Sequence, residues 1–399
     1  MRIDRGRRVL SGWGSQHTLL SVFVGSYFGV RFAQVVVGPV VPAVVSSFGV
    51  SRGAVGTALT GMWVAYALSQ LPSGVLADRL GEREVVLVAL AATAVATVGL
   101  SVSPGFLPFG VALVLLGVGA GIYYNPATAL LSREFAAVGR AVGTHRVGGQ
   151  VAGVAAPLAA AASVEYGWRA PLLVGPPLAV LAALLVLRFV APTPPVRPTA
   201  SVRDLFSPGD LAALLARPHT RYTTFAATLV EFVGLATMAF LPALLVGHHG
   251  LATRLANLLF AVLFAATALF QPLAGWLSDR LGRDETLALQ ASAGVLGYGA
   301  LAAGSRLLVL PAVLLAGASM SATPVVQSRM IDGLAEADQG AGFGLFRTVY
   351  LLLGASATAV VGTASDVAGW TVAFGLLAAV LAGLLLSLLA VLAVGSRAA

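Results

Sequence analysis

The sequence predicts an all-α membrane protein whose twelve transmembrane helices form two pseudo-symmetric six-helix bundles. Three observations carry that expectation. Only 10% of the 399 residues are charged, against 58% hydrophobic, whereas soluble domains hold about a quarter charged. Apolar runs of about twenty residues, the length that crosses a bilayer core, recur along the whole chain. A polar phrase, GVLADRLGEREVV from Gly74, returns 201 residues later as GWLSDRLGRDETL from Gly275.

Taken in order, apolar stretches punctuated by Gly, Pro, Arg or Asp fall at 18–46, 53–76, 85–102, 108–131, 141–163 and 170–190. A second set falls at 221–247, 252–275, 285–304, 307–328, 341–364 and 370–395. We number them spans 1 to 12. Residues 1–190 then form an N-terminal bundle, 191–220 a cytoplasmic linker and 221–399 a C-terminal bundle. The linker is Pro-rich at first and then reads as a short amphipathic helix lying along the membrane. Ser207 is placed to cap that helix, Pro208 to sit in its first turn and Asp210 to complement its positive end. The N-terminal MRIDRGRRVLSGWGSQ is basic but lacks a small-residue cleavage site, so a retained first helix is expected.

All 24 basic residues are Arg, dispersed among connectors, so the net charge of +8 reads as membrane topology and not as a nucleic-acid patch. Without Lys there is no Walker A lysine and no Schiff-base lysine; without Cys there is no disulfide or thiolate chemistry. No cofactor, metal site or enzymatic nucleophile-base pair is expected. If the N-terminus is inside, seventeen connector arginines lie on the inner side and four on the outer. That asymmetry predicts a multi-pass protein of the cytoplasmic membrane with both termini cytoplasmic. A monomer in the lipid bilayer is expected.

The two sixes align at offsets of 200 to 202: Pro42 matches Pro242, Asp78 matches Asp279, Arg79 matches Arg280, Gly139 matches Gly340, Arg146 matches Arg347, and Gly167-Trp168 matches Gly369-Trp370. On these residues the chain resembles transporters of the major facilitator superfamily, twelve-helix type, over essentially its full length. Gly74, Asp78, Arg79, Gly81 and Arg83 match the family's loop signature G-x-x-x-D-R-x-G-x-R between helices 2 and 3. Gly275, Asp279, Arg280 and Gly282 match its usual weaker echo between helices 8 and 9, and the GWR at Gly167, Trp168 and Arg169 is also typical. The resemblance implies a solute site at the midplane between halves that rock against each other. It makes Asp78 a gate residue, although a loop charge that only sets topology would look the same. Span 1's GPVVPAVVSSFGVS is similar to drug/proton antiporters. Their helix 5 motif G-x-x-x-G-P-x-x-G-G is incomplete here, with Val154 where the proline belongs and Pro157 later.

Charges inside the spans are the strongest functional signal, since a lone charge at the bilayer centre costs at least ~2.5–3.5 kcal/mol. Arg31 in span 1 and Glu231 in span 7 each precede the matched prolines Pro42 and Pro242 by eleven residues, so they occupy equivalent positions. The pair is expected to face across the cavity and couple to protons: protonating Glu231 would free Arg31 for an anionic group. A static ion pair fixing the helices is the alternative. Helical spacing adds Tyr27 and Gln34 to the face of Arg31, Gln150 to that of Arg146, and Tyr350 to that of Arg347. Tyr124 and Asn125 in span 4 and Gln327 in span 10 complete the expected substrate-binding set. Arg146 and Arg347 lie about two turns inside their helices and could instead snorkel to the membrane surface. His145 and the pair His248-His249 read as structural histidines and not as metal ligands.

These features predict a secondary transporter moving a small organic solute by alternating access, coupled to protons, with export favoured. The alternatives are proton-coupled uptake of an organic anion, which the excess of membrane arginines suits, and a non-transporting sensor with the same fold.

Overall fold

The computed structural model describes residues 13–162, 164–199, 209, 216–334 and 339–398. The basic N-terminal segment and the amphipathic helix expected around Ser207, Pro208 and Asp210 lie outside the described residues. Among those described, the chain is all-helical, with no strand.

Span 1 is two helices, α1 (Trp13–Val35) and α2 (Val37–Phe48). Spans 2 to 6 are α3 (Arg52–Leu80), α4 (Glu82–Val102), α5 (Phe106–Glu134), α6 (Val138–Ala162) and α7 (Gly175–Phe189). Spans 7 to 9 are α8 (Pro218–Gly247), α9 (Thr253–Leu281) and α10 (Arg283–Ala302). Span 10 is split into α11 (Val309–Met320) and α12 (Thr323–Asp332), and spans 11 and 12 are α13 (Gln339–Val367) and α14 (Gly369–Ala398). Pro324 stands in the first turn of α12, where its missing N–H costs nothing.

Nine of these spans are apolar enough by themselves to read as bilayer crossings. Spans 2, 5 and 9 are the remainder: they carry Arg52, Asp78 and Arg79; Arg140, His145 and Arg146; and Arg283, Asp284 and Glu285. These are helices that function with neighbours around them, since a span polar on one side must turn that side to protein or to a wet cavity.

Within each half, glycines let helix axes approach. A methyl group at Gly117 or Gly121 of span 4 would run into the carbonyl oxygens of Met62 or Tyr66 on span 2, and one at Gly148 of span 5 into that of Val24 on span 1. Between halves, span 2 packs on span 11, span 5 on span 8, and α2 on span 7. There the close approaches are Gly38 against the Met238 carbonyl, Gly56 against that of Thr358, and Gly153 against the Phe264 ring.

These contacts between halves gather toward the face opposite the two D-R loops, here called the far face. Asp366, near the end of span 11, accepts from the backbone N–H groups of Arg52 (3.2 Å) and Gly53 (2.7 Å) at the start of span 2. Ser51 satisfies the next N–H, that of Ala54. The carboxylate of one half thereby caps the positive helix end of the other. The Arg52 guanidinium lies 3.7 Å from Asp366 and over the Trp370 ring, and deeper in, Thr60 donates to the Ala355 carbonyl.

Removing that cap should loosen the far face. Asp366→Ala forfeits two charge-assisted hydrogen bonds and an ion pair, about 1.5–3 kcal/mol, or a tenfold or greater population shift. Spin labels at Leu107 and Leu307, both exposed on the far face, should report a longer distance becoming a major population. An unchanged distance distribution would rule the latch out.

The Gly-Trp pairs hold the same face. Arg169 donates to the Ser103 carbonyl (3.0 Å) and stacks on Trp168, which packs against Phe48 and Phe109. Gly167 and Gly369 both adopt positive φ, +87° and +80°, so no other residue turns the chain there without strain. His248 and His249 pair through Nε2 with the Ala302 and Leu301 carbonyls at the end of span 9. Burial holds the His249 imidazole below its usual range, opposed by the Leu301 carbonyl and reinforced by His248 and Arg306.

Candidate functional site

On the D-R loop face the signature residues contact the linker. Asp78 pairs with Arg197, and its backbone carbonyl accepts the N–H groups of Val196 and Arg197, both at 2.9 Å. Arg79 donates to the Pro198 carbonyl (3.3 Å). Arg83 reaches the Leu187 carbonyl and Glu84, while its N–H bonds Thr193 Oγ1. Gly81 has φ +93° and Gly282 φ +115°, the reversals that end spans 2 and 8. A side chain at Gly74 or Gly275 would meet nothing within 4 Å. The close helix approach that motif glycines permit is therefore not made in this conformation. In the second copy Arg283 joins Asp279 (2.8 Å) to Asp332 (3.0 Å), and Arg280 covers the Trp276 ring.

At mid-depth the halves enclose a cavity of about 190 Å³. Of the residues singled out from sequence, Tyr27, Arg31, Arg146, Gln150, Glu231, Gln327, Arg347 and Tyr350 line it. Arg31 and Glu231 thus face one chamber from opposite repeats. No direct ion pair joins them. Arg31 donates instead to Gln34 Oε1 at 2.7 Å, and Arg347 lines the same chamber as Glu231. Span 11 leaves room for that carboxylate because Gly354 lies against the Glu231 side chain, where a Cβ would come within 3.0 Å.

Arg347 is held by the other half. It donates to the Tyr66 hydroxyl (3.3 Å) and lies 4.9 Å above the Tyr124 ring. Both it and Arg146 line the cavity. Gln150 donates to Gln271 Oε1 across the halves at 3.0 Å, and Gln327 to the Tyr350 hydroxyl at 3.2 Å.

Three expected residues sit back from the chamber. Gln34 is 3% exposed and supports Arg31. Tyr124 forms an aromatic wall with Tyr27, ring centroids 5.8 Å apart, behind which His145 is buried against Tyr123. Asn125 is not at the cavity: its amide donates to the Gln70 carbonyl (2.7 Å) and Ser73 Oγ (3.0 Å), tying span 4 to span 2. A buried amide needs such partners, and the neighbouring span supplied them.

Trp63, Tyr66, Thr267 and Gln271 line the cavity without having been singled out from sequence. For Gln271 a signal existed. It precedes Gly275 by four residues, as Gln70 precedes Gly74, so an intramembrane amide is matched between repeats. Trp63 and Tyr66 carry no comparable mark, because an aromatic in a span is as well suited to packing as to a cavity.

A sequence profile described as Major Facilitator Superfamily matches residues 23–253 and again 222–398. Among curated proteins, a gallate transporter of Pseudomonas putida is 26% identical over 350 residues, covering 76% of this chain and 75% of the relative. A membrane sensor protein, UhpC of Escherichia coli, is 27% identical over 177 residues, 43% of this chain and 39% of that one. Among solved structures, a variant of the nucleoside transporter NupG superposes with a TM-score of 0.81 at 13% identity, over 94% of this chain and 99% of that one. Paired six-span halves, a twice-repeated D-R loop and a polar chamber between the repeats agree with that profile along the chain, which belongs to the Major Facilitator Superfamily of membrane transporters.

Proposed function

We propose that the chain is a proton-coupled secondary transporter that takes up a small organic anion across the cytoplasmic membrane by alternating access. The observation that carries this is the charge of the chamber: three arginines against one carboxylate leave a formal +2 in a space between the halves. Low dielectric strengthens the pull of such a field on a carboxylate, and guanidiniums recognise carboxylates by two parallel hydrogen bonds. Tyr27, Trp63, Tyr66 and Tyr350 add aromatic walls, and a relative is a gallate transporter. Both support an aromatic carboxylate.

Coupling rests on Glu231. When it is ionised it competes with the substrate for Arg347 and Arg31; when protonated it leaves them to the anion, so proton and anion bind together. The units that rock are residues 1–190 and 221–399, joined by 191–220. The arginine asymmetry supports a cytoplasmic position for both termini and the D-R loops, which would make the latched far face the outer one. Drug-like export has less support, since GPVVPAVVSSFGVS packs against span 7 and contributes nothing to the chamber wall.

Purified protein in liposomes, with acid outside, should accumulate benzoate-type carboxylates and no organic cations. Cation efflux without carboxylate uptake would sink the proposal.

A further inference from the structure

We propose that Gln150 and Gln271 form a hydroxyl-reading subsite that makes the transporter selective for hydroxylated aromatic carboxylates over their unsubstituted parents. The inference rests on the carboxylate assignment above and adds which residues choose among carboxylates.

Two cross-half hydrogen bonds at cavity depth come from equivalent helix pairs, spans 2 with 11 and spans 5 with 8, yet they differ in chemistry. On the first pair a guanidinium meets a phenol, Arg347 to Tyr66. On the second, two neutral amides meet, Gln150 Nε2 donating to Gln271 Oε1 at 3.0 Å. At the position of Tyr66 the second repeat has Thr267, which spends its hydroxyl on the Leu263 carbonyl of its own helix (2.9 Å). The amide pair is therefore the polar feature of the span 5–8 wall that can respond to a ligand without adding charge.

Each amide has four hydrogen-bonding sites, two donors and two acceptor lone pairs, and the pair uses one from each partner. Both residues line the cavity and both are half-buried. The Gln150 carbonyl can accept from a phenolic hydroxyl while the Gln271 amino group donates to one. An arene with its carboxylate on the arginines would meet this wall with its ring substituents. Hydroxyls satisfy the amides; a bare ring desolvates them without replacement, and a site built to hydrogen-bond a group rejects the analogue lacking it far more strongly than apolar fit alone allows. The tie also crosses the halves, so a solute engaging it touches both rocking units.

The test compares benzoate with 3,4-dihydroxybenzoate as competing substrates in proteoliposomes. The unaltered protein should prefer the dihydroxy compound at least tenfold in half-saturation. Gln150→Leu and Gln271→Leu should each bring the ratio toward one through loss of affinity for the dihydroxy compound, with folding certified separately by a monodisperse elution profile and an unchanged thermal unfolding midpoint. If a leucine variant carries neither compound, Gln271→Ala, assayed for binding of both by calorimetry on purified protein, decides on the same ratio. A preference unchanged in these variants overturns the assignment of the amides. An unaltered protein that takes both compounds equally overturns the selectivity. Failure of the unaltered protein to move any carboxylate removes the function proposed above, and this inference with it.

Discussion

Glu231→Gln is expected to abolish proton-driven accumulation while leaving solute exchange intact. For one proton carried per monoanion, a gradient of one pH unit supports about a tenfold concentration ratio, since 1.4 kcal/mol is a factor of ten. In the Gln variant that ratio should fall to one. The amide keeps the side chain's size beside Gly354 and mimics the protonated carboxyl, so Arg347 and Arg31 stay open to the anion at every pH. Counterflow of labelled against unlabelled substrate should therefore persist, and its pH dependence should flatten. Gradient-driven accumulation equal to the parent's would take Glu231 out of the coupling scheme.

The second large effect is expected at Arg347. It shares the chamber with Glu231, and it is held in place by Tyr66 and Tyr124 of the opposite half. Truncating one partner of a buried charge interaction costs about 2–5 kcal/mol, thirtyfold or more in affinity. Arg347→Ala should raise the half-saturation for a carboxylate by at least that factor. Arg347→Lys should recover only part of it, because an ammonium can neither stack on a tyrosine nor present a planar fork. Tyr66→Phe, which removes the hydrogen bond and keeps the ring, should change affinity little beside the Ala variant. Binding measured by calorimetry on purified protein separates these outcomes from effects on the conformational cycle; equal affinities in parent and Arg347→Ala would show that the anion sits elsewhere.

Much of the architecture is legible in the chain because lipid permits few solutions. Backbone in hydrocarbon must satisfy itself as helix, so apolar runs punctuated by Gly, Pro and Arg became spans near the expected places. The repeat pairs Arg31 with Glu231 and Arg146 with Arg347, and all four line one chamber. Burying a charge in a bilayer is costly enough that each had to find the wet interior.

The chain is less legible wherever a polar side chain has a choice of partners at similar cost. Asn125 and Gln271 are both span amides near a proline and a glycine, yet one knits two helices within a half and the other joins the halves at the cavity. Asp78 carries the signature in full, but its partner Arg197 comes from the linker, and among the described residues no helix of the other half supplies one.

By itself the amino-acid sequence determined the helical class, the duplication, the family and which charges lie within the spans, because composition, period and the cost of intramembrane charge are local quantities. The tertiary structure alone decided which face was latched, that Arg347 bonds Tyr66 of the other half while Arg31 bonds Gln34 of its own helix, and that two glutamines meet across the halves. Those depend on the distance between helices far apart in the chain, and a few ångströms of helix displacement decide whether a pair bonds directly.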